Sequence, residues 1–218
     1  MSGINYATFI KHAEKVTKTA SEGRPILKSV YHSEEGYAAV TDGHRLYIAD
    51  GIYEGTEKAE NPKTGELVDG NYPQVSKIVP YDDVAKRTVH ITDMSEIEFV
   101  DKAVKILHQC ATSSPNLNNK FVSKAKAHVR IYSEGDSIYF ATSEESAIEA
   151  RVLLGMSDGN SPDEINTYVN AEYISQAIAM FKDANIRDIT MRFYGNLAPF
   201  TIKGGNLTVV VSPIKRGY

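Results

Sequence analysis

The stretch "YAAVTDGHRLYIAD", residues 37–50, places Thr41, Asp42, Gly43, His44 and Arg45 in consecutive positions. A carboxylate and an imidazole two residues apart could hold and pass a proton, and an adjacent guanidinium could clamp an anion. A nucleophilic triad would need a further group to orient the base. The same residues also suit a tight turn. Asp-Gly is a strong hairpin signal, and His44 and Arg45 would then open the following strand. Metal chemistry finds less support. His12, His32, His44, His90, His108 and His128 include no H-x-x-x-H pair and no carboxylate-flanked cluster. The single cysteine, Cys110, excludes an internal disulfide and a cysteine-based zinc site, and its apolar, helix-like surroundings predict a packed core residue. No glycine-rich phosphate loop is present, and no cofactor is expected.

Elements that could position this cluster follow from periodicity. Tyr6, Phe9, Ala13, Val16 and Ala20 recur at three- and four-residue steps, which predicts a helix over 6–20. Lys11, Lys15 and Lys18 keep the same step on the opposite face. A second helix is predicted over 95–111, with Ser95 and Glu98 at capping-box spacing. Its apolar side holds Phe99, Val100, Ala103, Ile106, Leu107 and Cys110, and its polar side Lys102, Lys105 and His108. A third helix is predicted over 171–183, capped by Asn170. Each helix is followed by short strand-like runs. They are "ILKSVYH", "YAAVTD" and "RLYIAD"; then "AHVRIYS", "SIYFATS" and "AIEARVLL"; then "DITMRFYG", "PFTIKG" and "LTVVVSP". A helix-plus-three-strand unit thus occurs three times, which indicates an α+β fold with helices on one face of antiparallel sheets. The Gly-, Glu- and Lys-rich segment 51–70 is expected to be a long hairpin or a loop.

The net charge of −4 argues against a uniformly basic nucleic-acid binder, although one face can still be basic. No apolar run approaches the roughly 18 residues of a membrane span. The first residues carry no signal-peptide core, and a cytoplasmic location is expected.

"RPILKSVYHSEEGYAAVTDGHRLYIAD" resembles the middle domain of the bacterial sliding clamp, the beta subunit of DNA polymerase III. There an Arg-Pro-x-Leu strand leads to a Thr-Asp-Gly/Ser-His-Arg-Leu turn. "LVDGNYPQVSKIVP", residues 67–80, is similar to that family's linker into its last domain. "NAEYISQAIAMF" is similar to its Asn-x-x-Tyr-Leu helix, and "LAPFTIKGGNLTVVVSPIK" to its closing strands. The four motifs stand in the family's order. The resemblance implies an N-terminal half clamp domain at 1–68, a linker at 69–83 and a complete C-terminal clamp domain at 84–218.

It further implies a non-enzymatic replication accessory protein, of phage or prophage type. A cleft between domains would take a linear motif of polymerases or repair proteins. Carried over, the walls are Thr41, Gly43, His44, Arg45 and Leu46 from the turn, Pro73, Lys77 and Ile78 from the linker, and Val211, Ser212, Pro213 and Ile214 from the tail. On this view Asp42 forms the turn, and His44 and Arg45 shape the rim. Lys11, Lys15, Lys18, Lys102 and Lys105 would contact double-stranded DNA without sequence preference. The alternative is a decoy that binds partner motifs or a host clamp without encircling DNA. Three units per chain, where the family has six, imply a homo-oligomer in which two N-terminal halves form a composite domain. Four such chains would restore the family's count of units.

Overall fold

The structure is a computed structural model that describes residues 3–113, 128–144, 146–158 and 164–214. α1 spans Tyr6–Thr17, because Asn5 caps it by accepting from the Thr8 amide at 2.9 Å. It ends three residues short of the predicted limit. α2 spans Met94–Ser113. Asp93, not Ser95, caps it: Asp93 Oδ1 accepts from the Glu96 amide at 2.9 Å, and Glu96 reaches back to the Thr92 amide at 2.8 Å. α3 spans Ala171–Asp183 with Asn170 as its cap, as the sequence predicts.

After α1 come β1 (Val30–His32), β2 (Ala38–Thr41), β3 (Arg45–Ala49) and β4 (Lys58–Glu60). Only the end of "ILKSVYH" is strand, since Pro25 opens a short 3₁₀ turn over Pro25–Lys28. β5 (Arg87–Ile91) precedes α2, and β6 (His128–Glu134), β7 (Ser137–Thr142) and β8 (Arg151–Met156) follow it. β9 (Asn166–Asn170) precedes α3, and β10 (Ile189–Phe193), β11 (Phe200–Gly204) and β12 (Leu207–Val211) follow it. An α+β architecture is therefore present, with two leading strands, β5 and β9, beyond the three strands predicted after each helix. These leading strands are exchanged. β5 joins β10, from the unit built on α3, and β9 joins β6, from the unit built on α2.

The strands form one sheet in the order β4-β1-β2-β3-β12-β11-β10-β5 and a second in the order β8-β7-β6-β9. All pairings are antiparallel. β3 and β12 fuse the first unit to the last: Arg45 lies opposite Val211 and Leu46 opposite Val210. Asn206 ties the same seam, accepting from the Ile4 amide at 2.8 Å and donating to the Asp50 carbonyl at 2.8 Å. The main core lies between helices and sheets, with Phe9, Val16, Ile97, Val104, Ile178, Phe181, Val209 and Val211 buried in it.

One expectation is corrected here. Phe99 and Ile106 are not core residues but stand 53% and 58% exposed, and Cys110 is half-buried. They lie on the flank of α2 that turns away from α3, beyond the reach of the sheet. The sheet edge of the N-terminal unit carries a further strand of the same chain. Segment 58–68 is a hairpin whose β4 pairs with β1, in the place where β5 pairs with β10. Its return limb covers β4 in turn, the Val68 amide donating to the Ala59 carbonyl at 2.9 Å. Tyr53 lies against buried His32, whose Nε2 meets the Tyr6 hydroxyl at 2.9 Å.

Candidate peptide-binding cleft

β-strand alternation sends neighbouring side chains to opposite faces of the seam. Leu46, Ile48 and Val210, with Ala39 and Val75, form a small apolar cluster on the face away from the helices. Arg45, Tyr47, Val209 and Val211 face the helix layer. Val211, assigned to the cleft by resemblance, therefore belongs to the main core, and Val210 takes its place.

The turn between β2 and β3 is built by Asp42. Its Oδ1 accepts from the His44 and Arg45 amides at 2.9 and 3.0 Å. Gly43 adopts φ 90°, a conformation that favours glycine. Thr41 Oγ1 accepts from the Gly43 amide and donates to the Arg45 carbonyl. The other Asp42 oxygen accepts from Arg45 Nε at 3.2 Å and from the Thr19 hydroxyl at 2.6 Å. Both side chains of this ion pair are fully buried. The guanidinium also donates to Gln176 Oε1 at 2.7 Å and lies 4.5 Å from the Tyr173 ring centre. Burial raises the Tyr47 phenol, which accepts from Arg45, to about 12.

These bonds decide the opening question about chemistry. The Asp42 carboxylate is taken by Arg45, Thr19 and backbone amides, and it meets His44 only through the His44 amide. His44 is exposed, its ring stacked 6.3 Å from Tyr173. The pair is not arranged to relay a proton. Arg45 also departs from its expected place: its side chain turns into the helix layer, and only its backbone borders the cleft.

The linker closes the other side. The Tyr72 ring stacks on Tyr31 at 5.1 Å, and its hydroxyl accepts from the Thr41 amide at 3.1 Å. A 3₁₀ turn over Val75–Lys77 buries Val75 in the apolar cluster. A cavity of about 300 Å³ results, lined by Arg24, Leu27, Thr41, Gly43, His44, Arg45, Leu46, Pro73, Ile78, Val210 and Ser212. The structure thus brings together eight of the twelve residues named from the sequence. Lys77 is exposed outside the cavity. Ser212 is held by its amide, which donates to the His44 carbonyl at 2.8 Å, but the chain then turns away. The Ile214 amide donates to the Tyr168 carbonyl of β9, and neither Pro213 nor Ile214 lines the cavity. Arg24 and Leu27 also line the cavity but were not named from the sequence. Both lie in the Arg-Pro-x-Leu motif that carries the resemblance.

The five lysines assigned to DNA are exposed on the helix layer. Lys11 pairs with Asp183 at 2.9 Å, Lys105 with Asp101 at 2.8 Å and Lys102 with Glu98 at 3.9 Å. Among the described residues, Lys15 and Lys18 have no ion pair. The helices are long enough to pack the sheets, but none is long and apolar enough to cross a membrane among the described residues.

No family model matches the sequence, and no curated protein resembles it. Solved structures do. The DNA polymerase III beta subunit of Borrelia burgdorferi superposes with a TM-score of 0.69 at 15% identity, over 98% of this chain and 62% of that one. The beta chain of Streptococcus pneumoniae gives 0.72 at 14%, over 95% and 63%. The beta sliding clamp of C. crescentus gives 0.69 at 18%, over 98% and 65%. The chain spans less than two thirds of the length of these clamps. What it shares with them is architecture, and on that ground it has the fold of the bacterial sliding clamp.

Proposed function

We propose that this chain is a clamp-like replication accessory protein whose cleft holds a linear motif of a polymerase or repair protein. The carrying observation is the cavity at the β3–β12 seam. Its floor is apolar and pre-formed, and exposed Gly43 and His44 stand at its rim. Its volume of about 300 Å³ suits one or two large apolar side chains of an extended peptide. The C. crescentus beta sliding clamp, similar in fold, has polyethylene glycol bound at a region named for beta-motif tethering, which supports a ligand-accepting surface in this fold.

The test is titration of a fluorescent peptide bearing an apolar clamp-binding motif. Binding should weaken by roughly 30-fold or more in Leu46→Glu and Ile78→Glu, and stay unchanged in Lys77→Glu. Equal affinity in all four proteins would overturn the assignment. Ile78 is 37% exposed, so its variant separates binding from folding.

The decoy reading gains from two observations. Three of the five candidate DNA lysines are engaged by carboxylates, and the N-terminal sheet edge is closed by its own hairpin. DNA contact then rests on Lys15 and Lys18. Retention of duplex DNA at low salt, lost in Lys15→Glu/Lys18→Glu, supports the DNA-bound form. No retention by the parent, with peptide binding intact, supports the decoy.

A further inference from the structure

The helix layer distributes its charge unevenly. On α2 and α3, Lys102, Lys105 and Lys182 each meet a carboxylate. On α1, Lys11 does so through Asp183. Lys18, at the C-terminal end of α1, has no ion pair among the described residues. A lysine at that place ordinarily answers the carbonyls of the last turn. Here those carbonyls are already taken. The Glu14 carbonyl accepts from the Lys18 amide and the Thr17 hydroxyl, and the Val16 carbonyl from the Thr19 amide and hydroxyl. The Thr17 carbonyl accepts from the Ala20 amide.

Lys18 instead lines a cavity of about 200 Å³ between α1 and the 58–68 hairpin, with Glu14, Thr17, Lys28, Asn61 and Lys63 as the other walls. Three lysines thus converge from three elements: the end of α1, the 3₁₀ turn over Pro25–Lys28 and the hairpin tip. The tip is built to hold its lysine in place. Asn61 Oδ1 accepts from the Lys63 and Thr64 amides at 2.9 and 3.1 Å, and the Gly65 amide returns to the Asn61 carbonyl at 2.9 Å. With its oxygen taken, the Asn61 side chain has only N–H groups left to offer a ligand.

The nearby acids do not cancel these cations. Glu60 pairs with Lys58, and Glu66 accepts from the Thr64 hydroxyl. Lys63 is exposed and has no ion pair among the described residues. Lys28 pairs with Glu22, whose side chain is 91% exposed and is free to swing into water. Glu14 is the one carboxylate among the lining residues, against three lysines.

We propose that Lys18, Lys28 and Lys63 form a pocket for a phosphate group. Lysines act as point charges, and three of them around one volume suit a compact anion of more than one charge. The volume leaves room for the phosphate and a few waters. The pocket shares no lining residue with the peptide cleft, so the inference stands apart from the peptide-binding reading. It shares Lys18 with the candidate DNA surface. Such a group belongs either to a nucleic-acid backbone or to a small phosphorylated molecule, and the test separates the two.

Inorganic phosphate is titrated into the full chain at constant ionic strength, balanced with chloride, and followed by amide NMR. The Thr64 amide and the Asn61 side-chain amide should shift along a saturating curve. Lys63→Glu and Lys28→Gln should each raise the phosphate dissociation constant about 10-fold or more. Arg187→Glu, an exposed change of the same charge as Lys63→Glu that does not line the cavity, should leave it in place. Circular dichroism and peptide affinity should be unchanged in all three variants. A shift that does not saturate, or that chloride reproduces, overturns the proposal. So does a dissociation constant that Lys63→Glu and Lys28→Gln leave unaltered. Labelled duplex DNA at low salt then names the source. A salt slope lowered by about one in Lys28→Gln assigns the pocket to a backbone phosphate. An unchanged slope, or no duplex binding by the parent, assigns it to a small phosphorylated molecule.

Discussion

Arg45 and Leu46 are adjacent on β3, yet they serve opposite faces of one seam. On the helix side, Arg45 anchors a buried polar cluster with Asp42, Thr19, Gln176 and Tyr47. On the outer side, Leu46 and Val210 join Val75 in a small buried apolar cluster that borders the cavity. The first face is satisfied internally and fixes the turn. The second is left incomplete, and it is the face available to a ligand. A polar-looking motif therefore supplies structure through its charged residues, and on the proposed reading its apolar residue supplies recognition.

The largest effect that would sharpen this contrast is on the buried side. Asp42→Ala leaves Arg45 charged and unpaired, and should cost about 3–5 kcal/mol of stability in denaturant unfolding. Adding Arg45→Met should recover most of that loss; failure to do so would show that the turn bonds of Asp42, not the ion pair, carry its weight. On the open side, Ile78→Ala should weaken peptide binding by about 1–2 kcal/mol while leaving the unfolding midpoint in place. A drop in stability with unchanged affinity would erase the distinction between the two faces.

Tyr72→Phe probes the boundary between them. It removes the acceptor of the Thr41 amide and should cost about 1 kcal/mol, read as a lower midpoint. The smallest effect concerns pH. Burial lowers the His12 and His32 imidazoles below the ordinary 6.5, with Asp183 pulling His12 the other way. The unfolded chain then takes up protons that the folded chain does not, so stability should fall as pH drops below about 6.5. Thermal melts of His12→Gln should show a shallower fall than the parent, and an equal slope would exclude His12 as a contributor.

Much of the architecture is legible in the sequence. The Phe9–Ala13–Val16 stripe and the Asn170 cap locate their helices because each pattern has one physical solution. Three hairpin-linked runs after each helix are visible through their turns. β5 and β9 were hidden, since "RTVHI" and "NTYVN" carry polar residues at inward positions and lie in helix approaches with no turn to frame them. The phase of "TVVV" could not be read from three identical valines; pairing with β3 sets it, and puts Val210 outward. Phe99 and Ile106 fit a helical stripe, but periodicity cannot tell a flank that meets its own core from one that overhangs a sheet edge. The cavity-lining residues were legible only in part and only as a resemblance, because Arg24, Leu46, Pro73 and Val210 lie far apart in the chain and meet only in the fold.

That long-range meeting has a consequence for how the molecule behaves as a machine. Leu46 and Val210 lie on strands from opposite ends of the described chain, zipped side by side at β3 and β12. A ligand held across the zip reads both strands at once. By linkage, its binding should slow hydrogen exchange along Arg45–Ala49 and Leu207–Val211 together. Any event that frays one strand should release the ligand from both. On the proposed reading the cleft works as a coincidence detector, ready for capture only while the two ends of the fold are in register.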